Sequence, residues 1–319
     1  MISRKRLTFA AFLILLGATF ATAQQPQAQY KPLYPSQKAS VMQTIGVTDV
    51  TITYYRPAIK GRTIFADAPP EMEARAKGDA TLDNQNERKP GEPIVPYNHV
   101  WRAGANDATV FQVTDDVLIN GQPLKAGTYS LSAIPGKDEW TIIFNNDYGQ
   151  WGAFSYDSKK DALRVKVTPI AGGPEEWMQF RFEDPTVNSA RAVLVWENLQ
   201  VPFTIKNQID TNVRAVAMLR ESVAKAKPDD WQAYYRAGNY LVQNKIYMDD
   251  AAAWLDKAIA ISPTPQTHYA KARYFEAAGK TGEAIAELDR ALAAAKPDSS
   301  AALLEEIRNV KKTWSEKKS

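Results

Sequence analysis

A chain of 319 residues, 45% of them hydrophobic, holds material for about two domains with real cores and excludes a chain disordered throughout. Its 39 Lys+Arg exceed its 36 Asp+Glu by three, and subtracting Arg4, Lys5 and Arg6 leaves 36 against 36. The isoelectric point near 8.8 therefore belongs to one N-terminal cluster, nucleic-acid binding loses its electrostatic basis, and the absence of cysteine excludes disulfides and a lipid-anchoring thiol.

The N-terminus carries the parts of a secretory signal. Arg4, Lys5 and Arg6 form a positive flank, Leu7 to Phe20 is an apolar run short for a membrane span, and Ala21-Thr22-Ala23 gives the small-x-small cleavage pattern. Residues 1–23 are expected to be removed near Ala23, leaving a soluble periplasmic or secreted chain with no transmembrane segment. Residues 24–38, rich in Gln and Pro, are expected to be a flexible lead-in.

From Ser40 the texture becomes β. "SVMQTIG", "VTITYY", "ATVFQVT", "DVLIN", "GTYSLSAI", "EWTIIFN", "ALRVKV", "EWMQFRF", "ARAVLVWEN" and "VPFTIK" are short runs, most with apolar residues at every second position. Asn120-Gly121 is a hairpin signal, and Ala126-Gly127, Pro135-Gly136 and Gly172-Gly173-Pro174 punctuate the others. These features predict an antiparallel β-sandwich over 39–206, jelly-roll or immunoglobulin-like. Residues 66–94, rich in Pro, Gly and charge, interrupt it and read as a largely disordered surface insertion with one helical turn near Glu71–Lys77.

Residues 207–319 read as helices. Pro228, Pro263 and Pro297 close three alanine-rich runs at spacings of 35 and 34 residues, the length of one helix-turn-helix unit of an α-solenoid. Asp229, Thr281 and Ser299 are the expected N-caps and Gly279 a C-terminal stop. The overall expectation is an α+β chain of two domains, sandwich then short solenoid.

Trp231, Tyr235, Gly238, Tyr240, Ala258 and Pro263, then Tyr269, Ala272, Phe275, Ala284, Ala291 and Pro297, resemble the tetratricopeptide repeat over ~211–316. Such repeats stack to leave a groove that holds extended peptides, and Tyr235, Asn239, Lys271 and Tyr274 are the candidate groove residues. The stretches "ITYYRPAIKGRTIF", "VPYNHVWRAGANDATVFQV", "GQPLKAGTYSLSAIPGKDEWTIIFN" and "QWGAFSYD" resemble the bacterial domain of unknown function 2911 family over ~36–206. That resemblance implies an exported protein with a β-rich domain and names no activity. The 66–94 insertion departs from the pattern by separating "GRTIF" from "VPYNHVWR".

Within those stretches Arg56, Arg62, Trp101, Arg102 and Asn106 are candidate ligand residues. Arginine presents a planar fork of five donors suited to carboxylates, phosphates and stacked rings, so an anionic or sugar-like ligand is expected. Asn145, Trp151 and Tyr156 are possible additions. The competing reading pairs each arginine with a nearby carboxylate and puts Trp101 in the core. No catalytic residue, metal or cofactor is expected. The two histidines, His99 and His268, fall in different domains, no G-x-S-x-G elbow occurs, and Tyr274 stands where a phosphate-binding loop ending at "GKT" needs glycine. "DATLDNQNE" lacks the spacing of a calcium loop. The leading expectation is a non-catalytic binding or scaffold protein of the bacterial envelope, docking a peptide or protein segment. The alternatives are a carbohydrate-active enzyme or sugar-binding module, with Glu139, Glu183 and Glu197 as strand-borne carboxylates, and a purely structural protein.

Overall fold

The period-two runs become strands, and their buried positions decide which way each sheet faces. The computed structural model describes residues 33–77, 82, 83 and 88–318, so the expected export signal lies outside the described residues, as does the lead-in before Leu33. Everything below concerns the unit Ser36–Ser319. The strands are β1 (Gln37–Ile45), β2 (Thr48–Arg56), β3 (Phe65–Ala66), β4 (Val95–Pro96), β5 (Thr109–Val113) and β6 (Val117–Ile119). They continue with β7 (Gln122–Leu124), β8 (Gly127–Ile134), β9 (Trp140–Asn145), β10 (Asp161–Val167), β11 (Ile170–Glu183) and β12 (Ser189–Asn207).

One antiparallel sheet runs β1-β2-β5-β8-β9-β10, and the other runs β11-β12-β6-β7. Ile52, Phe111, Leu131 and Phe144 from the first meet Phe180, Leu194, Phe203 and Ile205 from the second in one buried cluster, which makes the pair a sandwich. In β2 the buried residues Thr48, Val50, Ile52 and Tyr54 alternate as half-buried strands do. All of β9 is buried, because Val100, Ala153 and the half-buried Tyr156 cover Ile143 on its outer face. The Asn120-Gly121 turn joins β6 to β7, with positive φ at both residues as its hairpin type requires.

Three features depart from the sequence expectation. "ARAVLVWEN" and "VPFTIK" are one strand, β12, because Glu197 adopts φ 57° at a register shift and the strand bends there instead of ending. The insertion is not wholly at the surface: Met72 in the short helix α1 (Pro70–Glu73), Leu82 and Asp83 are buried. Its two flanks are stitched by the parallel pair β3–β4.

Six longer helices follow: α2 (Thr211–Ala224), α3 (Trp231–Asn244), α4 (Met248–Ile261), α5 (Pro265–Ala277), α6 (Thr281–Ala293) and α7 (Ala301–Lys318). Asp230, not Asp229, caps α3 by accepting from the Ala233 amide at 3.1 Å. Lys280 occupies the N-cap of α6, so Thr281 is already helical. Gly279 ends α5 with φ 73°. Helices pair as α3–α4 and α5–α6, while α3, α5 and α7 form one continuous row. Gly238 permits the α3–α4 approach, since a Cβ there would lie 2.8 Å from Leu255. Among the described residues no helix is long and apolar enough to cross a membrane.

The joint between sandwich and helices is hydrogen-bonded from three sides. Asn207 donates to the Ile45 carbonyl and to Thr211 Oγ1, each at 2.9 Å, and Thr211 donates to the Val187 carbonyl at 2.6 Å. Asn188 accepts from the Thr211 amide at 2.7 Å. Gly46 sits against this knot at φ 64°, where a Cβ would meet Thr211 Oγ1 at 2.1 Å. Arg214 of α2 pairs with Asp115 at 2.6 Å. Burial pushes the Asp115 carboxyl up, but bonds from Arg214, Thr48 and Thr114 outweigh it and hold it below its usual range. A lowered folded-state value means the stabilisation is present above the unfolded value and fades as pH falls through the folded one. Asp115→Asn is therefore expected to cost about 1 kcal/mol at pH 7, with the gap to the parent closing below about pH 4. Urea unfolding at pH 7 and pH 3 checks this, and an equal gap at both would overturn it.

Candidate functional site

Of the candidate ligand residues, Trp101, Arg102 and Asn106 lie close together just after the insertion, and Arg56 and Arg62 precede it. Arg102 is 3% exposed. Its Nε donates to Asp83 Oδ2 at 2.8 Å, one terminal nitrogen to the Asp83 carbonyl at 2.5 Å, and the other to the Asn106 carbonyl at 2.6 Å. The Arg102 amide also reaches Asp83 Oδ2, at 3.1 Å, and the guanidinium lies 5.6 Å from the Phe154 ring centre. Burial pushes the Asp83 carboxyl up, while the charge and bonds of Arg102 and the charge of Arg88 oppose that. The arginine-to-carboxylate pairing weighed from the sequence is the geometry found at Arg102, and the carboxylate comes from the insertion.

Trp101 is core. It stacks on Trp196 at 5.9 Å and meets Phe65 and Trp140 edge-on, with Nε1 donating to the Gly104 carbonyl at 3.1 Å. Asn106 is drawn to Arg102, but its side chain donates to the Ser36 carbonyl at 3.0 Å. Arg56 stands apart at the end of β2, with Nε on the Met178 carbonyl at 2.9 Å. Asn145 is buried and donates to the Asp157 carbonyl and to Asp161, while Tyr156 donates to Asp161 at 2.8 Å. Trp151 is largely exposed.

Arg62 instead lines a cleft of about 550 Å³ with Gly61, Thr63, Arg88, Lys89, Glu92 and Ile94. Its Nε and one terminal nitrogen donate to the Ile59 and Ala58 carbonyls, at 3.1 and 2.6 Å. Arg88 donates to the Ile94 carbonyl at 2.6 Å, and its Nε is closed to solvent with no hydrogen-bond partner among the described residues. Glu92 is held by Arg75 at 2.6 Å and by the Lys89 amide at 2.9 Å. These bonds keep its carboxyl below the usual range.

Two of the three carboxylates offered for glycoside chemistry are occupied by ion pairs. Glu139 pairs with Lys166 at 2.8 Å, and Glu183 lies between Arg181 and Arg191, 2.6 Å from each. Bonds from Arg191 and Arg181 hold the Glu183 carboxyl low. His99 contacts Glu73 at 2.9 Å and His268 contacts Glu287 at 2.8 Å. Most of "DATLDNQNE" lies outside the described residues, and its described members Leu82 and Asp83 face inward. Among the described residues no cluster of three or more His, Asp or Glu has the arrangement of a metal site.

In the helical part, Tyr235 and Asn239 are one turn apart on α3 and share a face. Both are half-buried. Lys271 is turned the other way: it is 6% exposed, bonded to Asp256 of α4 at 2.8 Å, with Tyr274 4.7 Å from its ammonium. Lys271 and Tyr274 are thus braces between α4 and α5. The positions of α5 equivalent to Tyr235 and Asn239, one repeat of 34 residues on, are Tyr269 and Arg273. Tyr269 donates to Glu306 of α7 at 2.8 Å, and burial, with this bond, pushes its hydroxyl up to about 12.

Residues 214–264 and 269–307 match the tetratricopeptide repeat. The helical part is a tetratricopeptide-like array of paired helices. Residues 82–205 match the family described as Protein of unknown function (DUF2911). No curated protein and no solved structure matches the chain. The DUF2911 match opens at Leu82, so Asp83, Arg88 and Arg102 fall inside it, while Arg56 and Arg62 precede it. Tyr269 and Arg273 were legible from the repeat interval. Asp83 and Arg88 gave no signal beyond composition. Removing one partner of a buried pair strands the other charge, so Arg102→Ala is expected to destabilise the sandwich by about 3–5 kcal/mol, and Arg62→Ala by under about 1 kcal/mol. Urea unfolding of both variants measures this. A loss at Arg102 no larger than at Arg62 would show that the pair contributes little.

Proposed function

We propose that this protein is an exported, non-catalytic docking or scaffold protein. In this reading the row α3–α5–α7 holds a peptide or protein segment, and the sandwich takes a small anionic ligand. Tetratricopeptide repeats point to protein partners, and grooves of this type hold segments through side chains of the first helix in each pair.

One observation carries the docking half. No strand packs substantially against α3, α5 or α7 among the described residues, so the row is not spent as a brace for the sandwich. Tyr235, Asn239, Tyr269 and Arg273 then repeat on it at matching positions. Asn239→Glu with Arg273→Glu reverses the polarity of that face without touching a fully buried residue. Affinity capture from envelope extract is expected to recover one partner with the parent protein and at least about tenfold less with the double variant. Equal recovery would remove the row from the interaction.

Export rests on the pattern of residues 1–23. N-terminal sequencing of the protein recovered from outside the cytoplasm should begin at Gln24. Recovery of the intact N-terminus in the cytoplasm would end that part of the reading.

A further inference from the structure

Arg102 and Arg88 share a single carboxylate, Asp83, and Arg102 takes nearly all of its bonds, while Arg62 lies close enough to act on Arg88. Both Arg102 and Asp83 are fully buried, and three of the four Arg102 side-chain and amide bonds go to that residue. Arg88, which feels Asp83, Arg102 and Arg62 together, is left with one carbonyl partner and an Nε that is shut from water and unpaired among the described residues. Among the described residues Arg62 bonds to neutral carbonyls. Of the described residues lining the cleft, Arg62, Arg88 and Lys89 are cationic and Glu92 alone is acidic, a net of two positive charges among them. Glu92 is already engaged by Arg75. The bond from Lys89 to Glu71 is between two exposed side chains and holds Lys89 weakly.

A buried guanidinium with an unused donor beside two like charges is costly unless a counter-charge is supplied. Burial lowers Arg88 from its ordinary value, with Asp83 and Glu92 opposing and Arg102 and Arg62 adding to the effect. Arginine stays ionised regardless, so the site gains from an anion and not from losing a proton. The cleft of about 550 Å³ has room for a small molecule. Thr63 and the Gly61 and Gly91 backbone add polar groups at its wall.

We infer that the cleft bounded by Arg62, Arg88 and Lys89 binds the oxyanion of a small ligand, a phosphoryl or carboxylate group. This rests on the small-ligand half of the proposed function and relocates its site from Arg102, Trp101 and Asn106 to the mouth of the insertion. A tetrahedral or planar oxyanion in the cleft offers acceptors to the terminal nitrogens of Arg88 and Arg62 that their carbonyl bonds leave over, and its charge offsets that of the buried Arg88 guanidinium.

The test is isothermal titration of the full purified protein with inorganic phosphate and, separately, with citrate, in a low-salt zwitterionic buffer. Saturable binding is expected for at least one probe, weakening as sodium chloride is added. Arg62→Gln, Arg88→Gln and Lys89→Gln should each weaken it, by at least about tenfold for the two arginines, whereas Lys125→Gln, at an exposed pair elsewhere on the sandwich, should not. Phosphate binding alone assigns a phosphoryl group and citrate binding alone a carboxylate. No binding of either probe overturns both this inference and the anionic-ligand reading. Binding that survives intact in Arg62→Gln and Lys89→Gln overturns the location alone. Those two side chains are at the cleft wall, so they decide the matter even where Arg88→Gln fails to fold.

Discussion

The Arg102–Asp83 pair is the constraint from which the rest of the sandwich's open end follows. It draws a carboxylate out of a charged, proline-rich loop and buries it against Arg102. Such a pair is weak as a source of net stability, because taking two charges out of water offsets most of their attraction. Its force is directional. Once Arg102 is folded inward, Asp83 follows it, and the two flanks of the insertion are joined by the β3–β4 pair.

That arrangement separates two jobs that the same residue type performs. Arg102 is a structural cation whose donors are consumed, and Arg62 and Arg88 are its neighbours with donors to spare. The helical repeats show the same division. Lys271 and Tyr274 knit α4 to α5, while Tyr235 and Asn239 occupy the flank that the next repeat continues with Tyr269 and Arg273. In both places burial, not chemistry, sorts scaffold from candidate surface.

Much of this was readable before any coordinates. Period-two alternation located the longer strands, Asn120-Gly121 located a hairpin, and the proline interval located the paired helices. What escaped has physical reasons. A bulge at Glu197 lets one strand pass through a polar interruption that reads as a turn. Asp83 sits in a run of Asp and Asn with nothing local to mark it, since its partner is nineteen positions away and the pairing is a tertiary event. Lys271 looked like a groove cation because helix periodicity gives a side chain's angle, not which neighbour fills that angle. The repeat interval that identified the fold was enough to point at Tyr269 and Arg273, since equivalent positions in stacked units face the same way.

The order of strands along the chain has a consequence for biosynthesis. Every strand of the six-stranded sheet has been made by Val167, but the opposing sheet waits for β11 and β12, which end at Asn207. Through that interval Ile52, Phe111, Leu131 and Phe144 have only the β6–β7 hairpin of the opposite layer to cover them. A nascent chain emerging from its N-terminus therefore passes through a half-built stage with a greasy face on show, the kind of species that sticks to its own kind. β12 closes that face and leads within a few residues into α2, so the strand that completes the sandwich also carries Asn207, which bonds to Thr211 at the start of the helices.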